Sequence, residues 1–232
     1  MPEPEPKPAF LPTPLERLAR SRLYLVTEAG ADPATLGRLL DQALRGGTDL
    51  IQLRDKDADE ESLLAAAPAF RAAADRHGAL FLINDRPDLV AACGADGVHV
   101  GQDDTPVDRV RAGLRAGADA IVGLSTHSPA QLDAAHAAGA GRPDYVSVGP
   151  VWETPTKAGR PAAGLEYVGY AAEHATLPWF AIGGIDPDNV AAVAAAGAAR
   201  IVVVRAIRDA AEPAAAAATL RAGIDPAGEE QR

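Results

Sequence analysis

The chain reads as an α/β protein of one domain, a (β/α)8 or TIM barrel. Three observations predict it. Short apolar and β-branched runs recur eight times between residues 23 and 204, and Ala/Leu-rich segments with helical spacing lie between them. A Gly-Ala-Asp triplet or a close variant stands ahead of several of the runs. A length of 232 residues suits an eightfold α/β unit that closes as a single domain. An open doubly wound sheet is the weaker alternative, because no G-x-G-x-x-G links the first strand to its helix.

Taken in order, residues 1–20 are proline-rich and polar and read as an N-terminal arm, flexible or extended. The barrel is expected over residues 21–222. Its strands are predicted at Leu23–Val26, Leu50–Leu53, Leu80–Ile83, Gly97–Val100, Ala120–Gly123, Tyr145–Val148, Trp179–Ile182 and Ile201–Val204, with helical segments such as Glu61–His77 and Pro129–Ala138 between them. The triplets Gly94-Ala95-Asp96, Gly117-Ala118-Asp119 and Gly197-Ala198-Ala199, with Gly46-Gly47-Thr48-Asp49, put a glycine where each helix must end in a left-handed cap. Residues 223–232 read as a polar tail.

Composition narrows the function classes. Hydrophobic residues make up 47% of the chain, carried by Ala, Val, Leu and Ile, with 4% aromatics. A formal net charge of -10 argues against a grip on nucleic acid or an acidic membrane surface. An anionic substrate would need a local cluster of Arg and Lys. Cys93 is the single cysteine, which excludes an internal disulfide and reads as a buried structural thiol. No apolar run of about 18 residues is present, and the N-terminus lacks a signal peptide's apolar region, so a cytoplasmic protein is expected.

In such a barrel the chemistry sits where strands end at their carboxyl side, and these ends are polar here. The second strand ends in Gln52-Leu53-Arg54-Asp55-Lys56, and alternation turns Gln52, Arg54 and Lys56 to one side and Leu53 and Asp55 to the other. The third ends in Asn84-Asp85 and the fourth in Gly101-Gln102-Asp103-Asp104. Carboxylates on adjacent strand ends suit Mg2+, with Asp85 and Asp104 the candidates and Asp88 or Asp103 as substitutes. Helix capping is the competing role, for Asp85 at the helix opening at Arg86-Pro87 and for Asp103 or Asp104 at the one opening at Pro106. The fifth strand brings Ser125-Thr126-His127, where Ser125 can donate to an anion or cap the next helix, a task Ser128 suits equally. His99 reads as a packed core residue or a pocket wall. The sixth leads into Gly149-Pro150-Val151-Trp152-Glu153-Thr154-Pro155-Thr156-Lys157, a turn offering two hydroxyls beside a cation. The seventh ends in Gly183-Gly184 and the eighth in Val204-Arg205, where barrels of this kind commonly hold a phosphate. Two anion sites thus share one mouth, and a metal-bound pyrophosphate opposite a monophosphate suggests a transfer in which pyrophosphate leaves.

Six motifs in order, Gln52-Leu53-Arg54-Asp55-Lys56, Ile83-Asn84-Asp85-Arg86, Gly97 through Asp104, Gly123-Leu124-Ser125-Thr126-His127, Gly149-Pro150 through Lys157 and Ala181 through Ile185, resemble the thiamine phosphate synthase family over residues 22–210. The resemblance implies a Mg2+-dependent transferase that joins hydroxymethylpyrimidine pyrophosphate to thiazole phosphate and releases pyrophosphate. It assigns Gln52, Arg54, Lys56, Asn84, Ser125 and Lys157 to the pyrimidine substrate, with Arg54, Lys56, Lys157 and Ser125 catalytic. It gives Asp85 and Asp104 to the metal, and Thr154, Thr156, Gly184, Val204 and Arg205 to the thiazole phosphate. Leu53, Asp55 and Pro155 fall inside the same contact segments. Two positions depart from the family pattern: Asp55 stands for the usual Glu, and Arg205 for the usual Ser. A thiazole tautomerase using His127, or a catalytically silent phosphate-binding regulatory barrel, are the alternatives on this fold. The partners implied are small molecules, with no nucleic acid and no membrane, and with room for a homo-oligomer.

Overall fold

The computed structural model describes residues 12–30, 32–114, 120–154 and 161–225. Eight parallel strands close in sequence order: β1 (Leu23–Thr27), β2 (Leu50–Leu53), β3 (Leu80–Asn84), β4 (Gly97–Val100), β5 (Ile121–Thr126), β6 (Tyr145–Val148), β7 (Trp179–Ile182) and β8 (Ile201–Val203), which pairs back onto β1. All eight expected runs are strands. The largest boundary difference is at β5, which begins one residue later than expected and continues to Thr126.

Helices cover the outside: α1 (Pro14–Arg20), α2 (Pro33–Arg45), α3 (Glu60–His77), α4 (Val90–Cys93), α5 (Val107–Gly113), α6 (Pro129–Ala137), α7 (Gly164–His174), α8 (Val190–Ala195), α9 (Arg205–Arg208) and α10 (Pro213–Ile224). Local chemistry sets several of their ends. Asp32, Asp59 and Ser128 accept backbone N–H groups at the starts of α2, α3 and α6. Gly94 closes α4 at φ 64°, the left-handed cap expected of it, and Gly78 closes α3 in the same way at φ 65°.

Because side chains alternate along a strand, each strand feeds two cores. Leu23, Leu25, Ile51, Leu53, Phe81, Ile83, Val98 and Val100 pack outward against the helices. Tyr24, Val26, Leu50, Leu80, Leu82, Ile121, Tyr145, Phe180 and Val202 point inward and fill the barrel. Cys93 is buried in the outer layer, and burial pushes its thiol up from the usual range, as suits a structural cysteine.

The aspartates that precede strands tie the amino-terminal end of the barrel together. Asp49 accepts from the N–H of Arg22 at 2.7 Å and of Leu23 at 3.0 Å. Asp96 takes Phe81 N–H at 2.8 Å, and Asp144 takes Val122 N–H at 2.7 Å. Each accepts an N–H from the first or second residue of the preceding strand and so satisfies a donor at that end of the sheet. Asp96 of the Gly94-Ala95-Asp96 triplet therefore serves stability, while Gly117-Ala118-Asp119 lies outside the described residues.

Two expected boundaries are corrected. Pro14–Arg20, read as part of an extended arm, is helical. Thr13 Oγ1 accepts Glu16 N–H at 3.2 Å, Glu16 accepts Thr13 N–H at 2.8 Å, and Pro14 sits at the first helical position. Leu18 of this helix is 1% exposed and belongs to the inner core, so α1 closes the bottom of the barrel. Arg17 fastens it, donating to Ala79 O at 3.0 Å and Asp96 at 3.1 Å. At the other end α10 runs through Ile224, which is buried, two residues past the expected limit. Residues 1–11 of the arm and 226–232 of the tail lie outside the described residues.

Candidate active site

At the carboxyl ends of the strands lies a cavity of about 420 Å3. Val26, Gln52, Asn84, His99, Ser125, Ile182, Val202 and Val204 line it, the upward continuation of the inward-facing set on every strand but β6. Gln52, Arg54 and Lys56 all face it, the alternation expected of the second strand end. Leu53 and Asp55 do not. Leu53 is fully buried against the helices, and the Asp55 carboxylate accepts Ala29 N–H at 3.3 Å. Neither side chain lines the cavity, so a contact from these two positions would have to come from backbone, and Asp in place of Glu at 55 changes a side chain directed away from the cavity. Among the described residues Arg54 forms no ion pair, so its guanidinium is available to an anion.

Asp85 and Asp104 meet across the ends of β3 and β4. Asp85 adopts φ 58°, left-handed backbone that asparagine and aspartate tolerate better than most residues. Burial and the neighbouring Asp104 raise its carboxyl above the usual range, against the opposing pull of Lys56, whose Nζ lies 3.2 Å from Oδ2. Asp104 Oδ2 accepts Gly101 N–H at 2.8 Å, and neither aspartate caps a helix. Asp88 is exposed and paired with Arg86, and Asp103 is exposed and does not line the cavity. Two hard carboxylates pressed together fit a divalent cation that takes few protein ligands and fills its shell with water and phosphate oxygens. Among the described residues no group of three or more His, Cys, Asp or Glu forms a metal cluster.

The opposite wall is built from backbone. Gly149-Pro150 is a cis peptide, and beyond it Val151 N–H donates to Ile182 O at 2.8 Å and Trp152 N–H to Gly183 O at 3.1 Å. The loop after β6 is thereby zipped onto the end of β7. Gly183 and Gly184 have φ 109° and 69°, and a Cβ on Gly183 would stand 2.5 Å from Pro150 Cβ. Their first duty is to admit that loop, and Gly184 lines the cavity besides. Thr154, Val204 and Arg205 line it too, the last at the start of α9. Pro155, Thr156 and Lys157 lie outside the described residues.

Beneath the cavity runs a buried polar chain that the strand ends did not disclose. Gln52 donates to Tyr24 Oη, Tyr24 and Tyr145 hydroxyls are 3.2 Å apart, Tyr145 Oη is 2.8 Å from His99 Nδ1, and His99 Nε2 is 3.0 Å from Ser125 Oγ. Burial raises both phenols above their usual range. Gly123 makes the arrangement feasible, since a Cβ there would fall 2.2 Å from the Tyr145 ring. Tyr24, Tyr145 and Phe180 meet edge to face, with centroids 5.5 to 6.2 Å apart. The signal that could have found Tyr24, Val26, Tyr145 and Ile182 is the parity of Gln52 carried round all eight strands. Ser128 caps α6, which leaves Ser125 to the cavity. His127 also faces the cavity, with Nδ1 hydrogen-bonded to Gly149 O at 2.6 Å and its N–H to Gln131 at 2.7 Å, so it braces the β6 loop.

A closed (β/α)8 barrel with cations and paired carboxylates on one side of its mouth and glycine backbone on the other belongs to the barrel enzymes that act on phosphorylated substrates. Comparison with known proteins narrows the class. Residues 23–207 match the family model described as thiamine monophosphate synthase, and the chain belongs to that family. It is 50% identical over 229 residues to the thiamine-phosphate synthase of Arthrobacter sp. (strain FB24), covering 90% of this chain and 96% of that one. It is 53% identical over 207 residues to that of Thermobifida fusca (strain YX), covering 89% and 93%. Among solved structures, thiamine phosphate pyrophosphorylase from Pyrococcus furiosus superposes with a TM-score of 0.75 at 29% identity, covering 89% of this chain and 96% of the other. No helix among the described residues is long and apolar enough to cross a membrane.

Proposed function

We propose that this chain, a transferase, joins a hydroxymethylpyrimidine pyrophosphate to a thiazole phosphate, giving thiamine phosphate and pyrophosphate. The observation that carries the reading is the two-sided mouth. Arg54, Lys56, Asn84, Asp85 and Asp104 stand on the β2–β4 side, with Gly183, Gly184, Val204 and Arg205 opposite. The first side suits a pyrophosphate, whose charge grows as it departs. The second suits a monophosphate approached by backbone.

In the bond-breaking step the methylene C–O bond cleaves and its electron pair leaves on the pyrophosphate oxygen. The electron-rich aminopyrimidine carries the resulting positive charge, and the thiazole nitrogen then supplies the pair for the new C–N bond. No protein nucleophile enters. Arg54, Lys56 and Lys157 neutralise the departing charge, Gln52 and Ser125 orient the ring, and Thr154 and Thr156 serve the thiazole phosphate. Asp85 and Asp104 are the residues that would hold Mg2+, which when bound supplies positive charge to the leaving group. The Asp85 carboxyl, raised by burial and by the neighbouring Asp104, supports this, because a bound cation would offset both effects.

Purified protein given both substrates should release pyrophosphate with Mg2+ and little without it. Lys157→Ala should cut turnover by about 100-fold or more while the fold persists, a loss on the scale of one transition-state charge contact. Isomerisation of the thiazole without pyrophosphate release, or binding without turnover, would reject the reading in favour of a tautomerase or a regulatory barrel.

A further inference from the structure

We propose that Tyr24, Tyr145 and His99 act as positioning residues, a one-way hydrogen-bond relay that aligns Gln52 with Ser125 and makes the Ser125 hydroxyl a donor to the ligand. The relay crosses the barrel through β2, β1, β6, β4 and β5, and all five side chains are buried, with His99 at 8% the most exposed.

Its direction follows from which atoms can donate. The Gln52 amide nitrogen has only protons to offer, so Tyr24 Oη accepts from it. The Tyr24 proton then goes to Tyr145 Oη, 3.2 Å away. Tyr145, having accepted, passes its own proton toward His99 Nδ1 at 2.8 Å. A ring nitrogen that accepts carries no hydrogen, which places the imidazole proton on Nε2, aimed at Ser125 Oγ. Ser147 Oγ, also buried, donates to the same oxygen from 3.4 Å. With two donors pointed at it, Ser125 turns its proton outward to an acceptor in the cavity. The opposite direction would put the imidazole proton on Nδ1, make Ser125 donate to Nε2 and so offer the ligand only an acceptor, and set two protons against each other between Tyr24 and Gln52. Burial of both phenols favours their protonated forms and keeps the relay complete.

The kinetic consequence rests on the proposed function, in which the pyrimidine lies against Gln52 and Ser125. Tautomer and kinetics are therefore measured separately on the full chain. In 15N-histidine NMR, with the His99 signal assigned by its loss in His99→Gln, the wild-type ring should be the Nε2–H tautomer, and Tyr145→Phe should lose that fixed preference. In turnover, Tyr145→Phe and Tyr24→Phe should each raise KM for the pyrimidine substrate about five- to tenfold, the effect of one lost hydrogen bond, and leave KM for the thiazole substrate within roughly twofold. Tyr24→Phe keeps the ring and leaves both imidazole contacts in place, so it serves should Tyr145→Phe unfold. An Nδ1–H tautomer in the wild type overturns the relay. So do unchanged kinetics in the Phe variants, or equal changes in both KM values, which would mark a packing role alone. A chain that makes no thiamine phosphate would defeat the functional reading, and the NMR result would still decide the relay.

Discussion

Gly183→Ala tests whether the paired glycines after β7 are there for the β6 loop. At φ 109° an L residue is strained by about 1–2 kcal/mol. The added Cβ would also lie 2.5 Å from Pro150 Cβ, 2.6 Å from Pro150 Cα and 2.9 Å from Val151 N. Two of those three atoms are backbone, so no rotamer change clears them, and overpacking of this kind costs about 1–3 kcal/mol. The sum, about 3.5 kcal/mol near its middle, corresponds to a fall in Tm of about 7–14 °C for a domain of this size. Urea unfolding with an unchanged m value is the assay. Gly37→Ala in α2 is the control, since a Cβ there meets nothing within 4 Å and should add about 0.5–1 kcal/mol. A Gly183→Ala protein within about 1 kcal/mol of wild type would refute the packing account. Where the variant folds, the displaced Pro150 should carry Thr154 with it and raise KM for the thiazole phosphate more than for the pyrimidine substrate.

Two further outcomes follow from the mouth and the base of the barrel. The raised Asp85 carboxyl gives stability that is present below its unfolded value, near 3.8, and is lost as pH rises through the higher folded value. Mg2+ must displace that proton, so calorimetry should show little rise in Tm with Mg2+ at pH 4 and, at about ten times its Kd, a rise of about 3–5 °C at pH 7.5. Asp104→Asn keeps an acceptor for Gly101 N–H, should stabilise the metal-free protein at neutral pH and should abolish the Mg2+ response; an undiminished response would remove Asp104 from the metal site. Leu18→Ala should cost about 2–4 kcal/mol in urea unfolding, and a cost below about 1 kcal/mol would show that α1 is dispensable as the bottom closure.

The strands were legible because each is a short apolar run between helical segments, and their order already implied closure. The site was legible wherever one strand end carried its own chemistry, as Gln52, Arg54 and Lys56 do by alternation and Asp85 and Asp104 by charge. Leu53 and Asp55 were named by segment, and alternation turns both side chains away from the cavity. The base of the site was not legible. Tyr24 and Tyr145 look like packing residues in their own strands, and only closure brings the hydroxyl of one within reach of the other across the barrel. Helix α1 was hidden for a simpler reason, since the prolines around it drew the reading away from the Thr13–Glu16 capping box.

The ring cluster of Tyr24, Tyr145 and Phe180, with Leu18 packed in the same inner core, is a stopper. It turns the barrel from a tube into a cup. Among the described residues this floor is filled by side chains, so the cavity at the strand ends is backed by packed rings. On the proposed mechanism, in which a cation must escape capture by water, that floor shields the chamber from below before any substrate arrives.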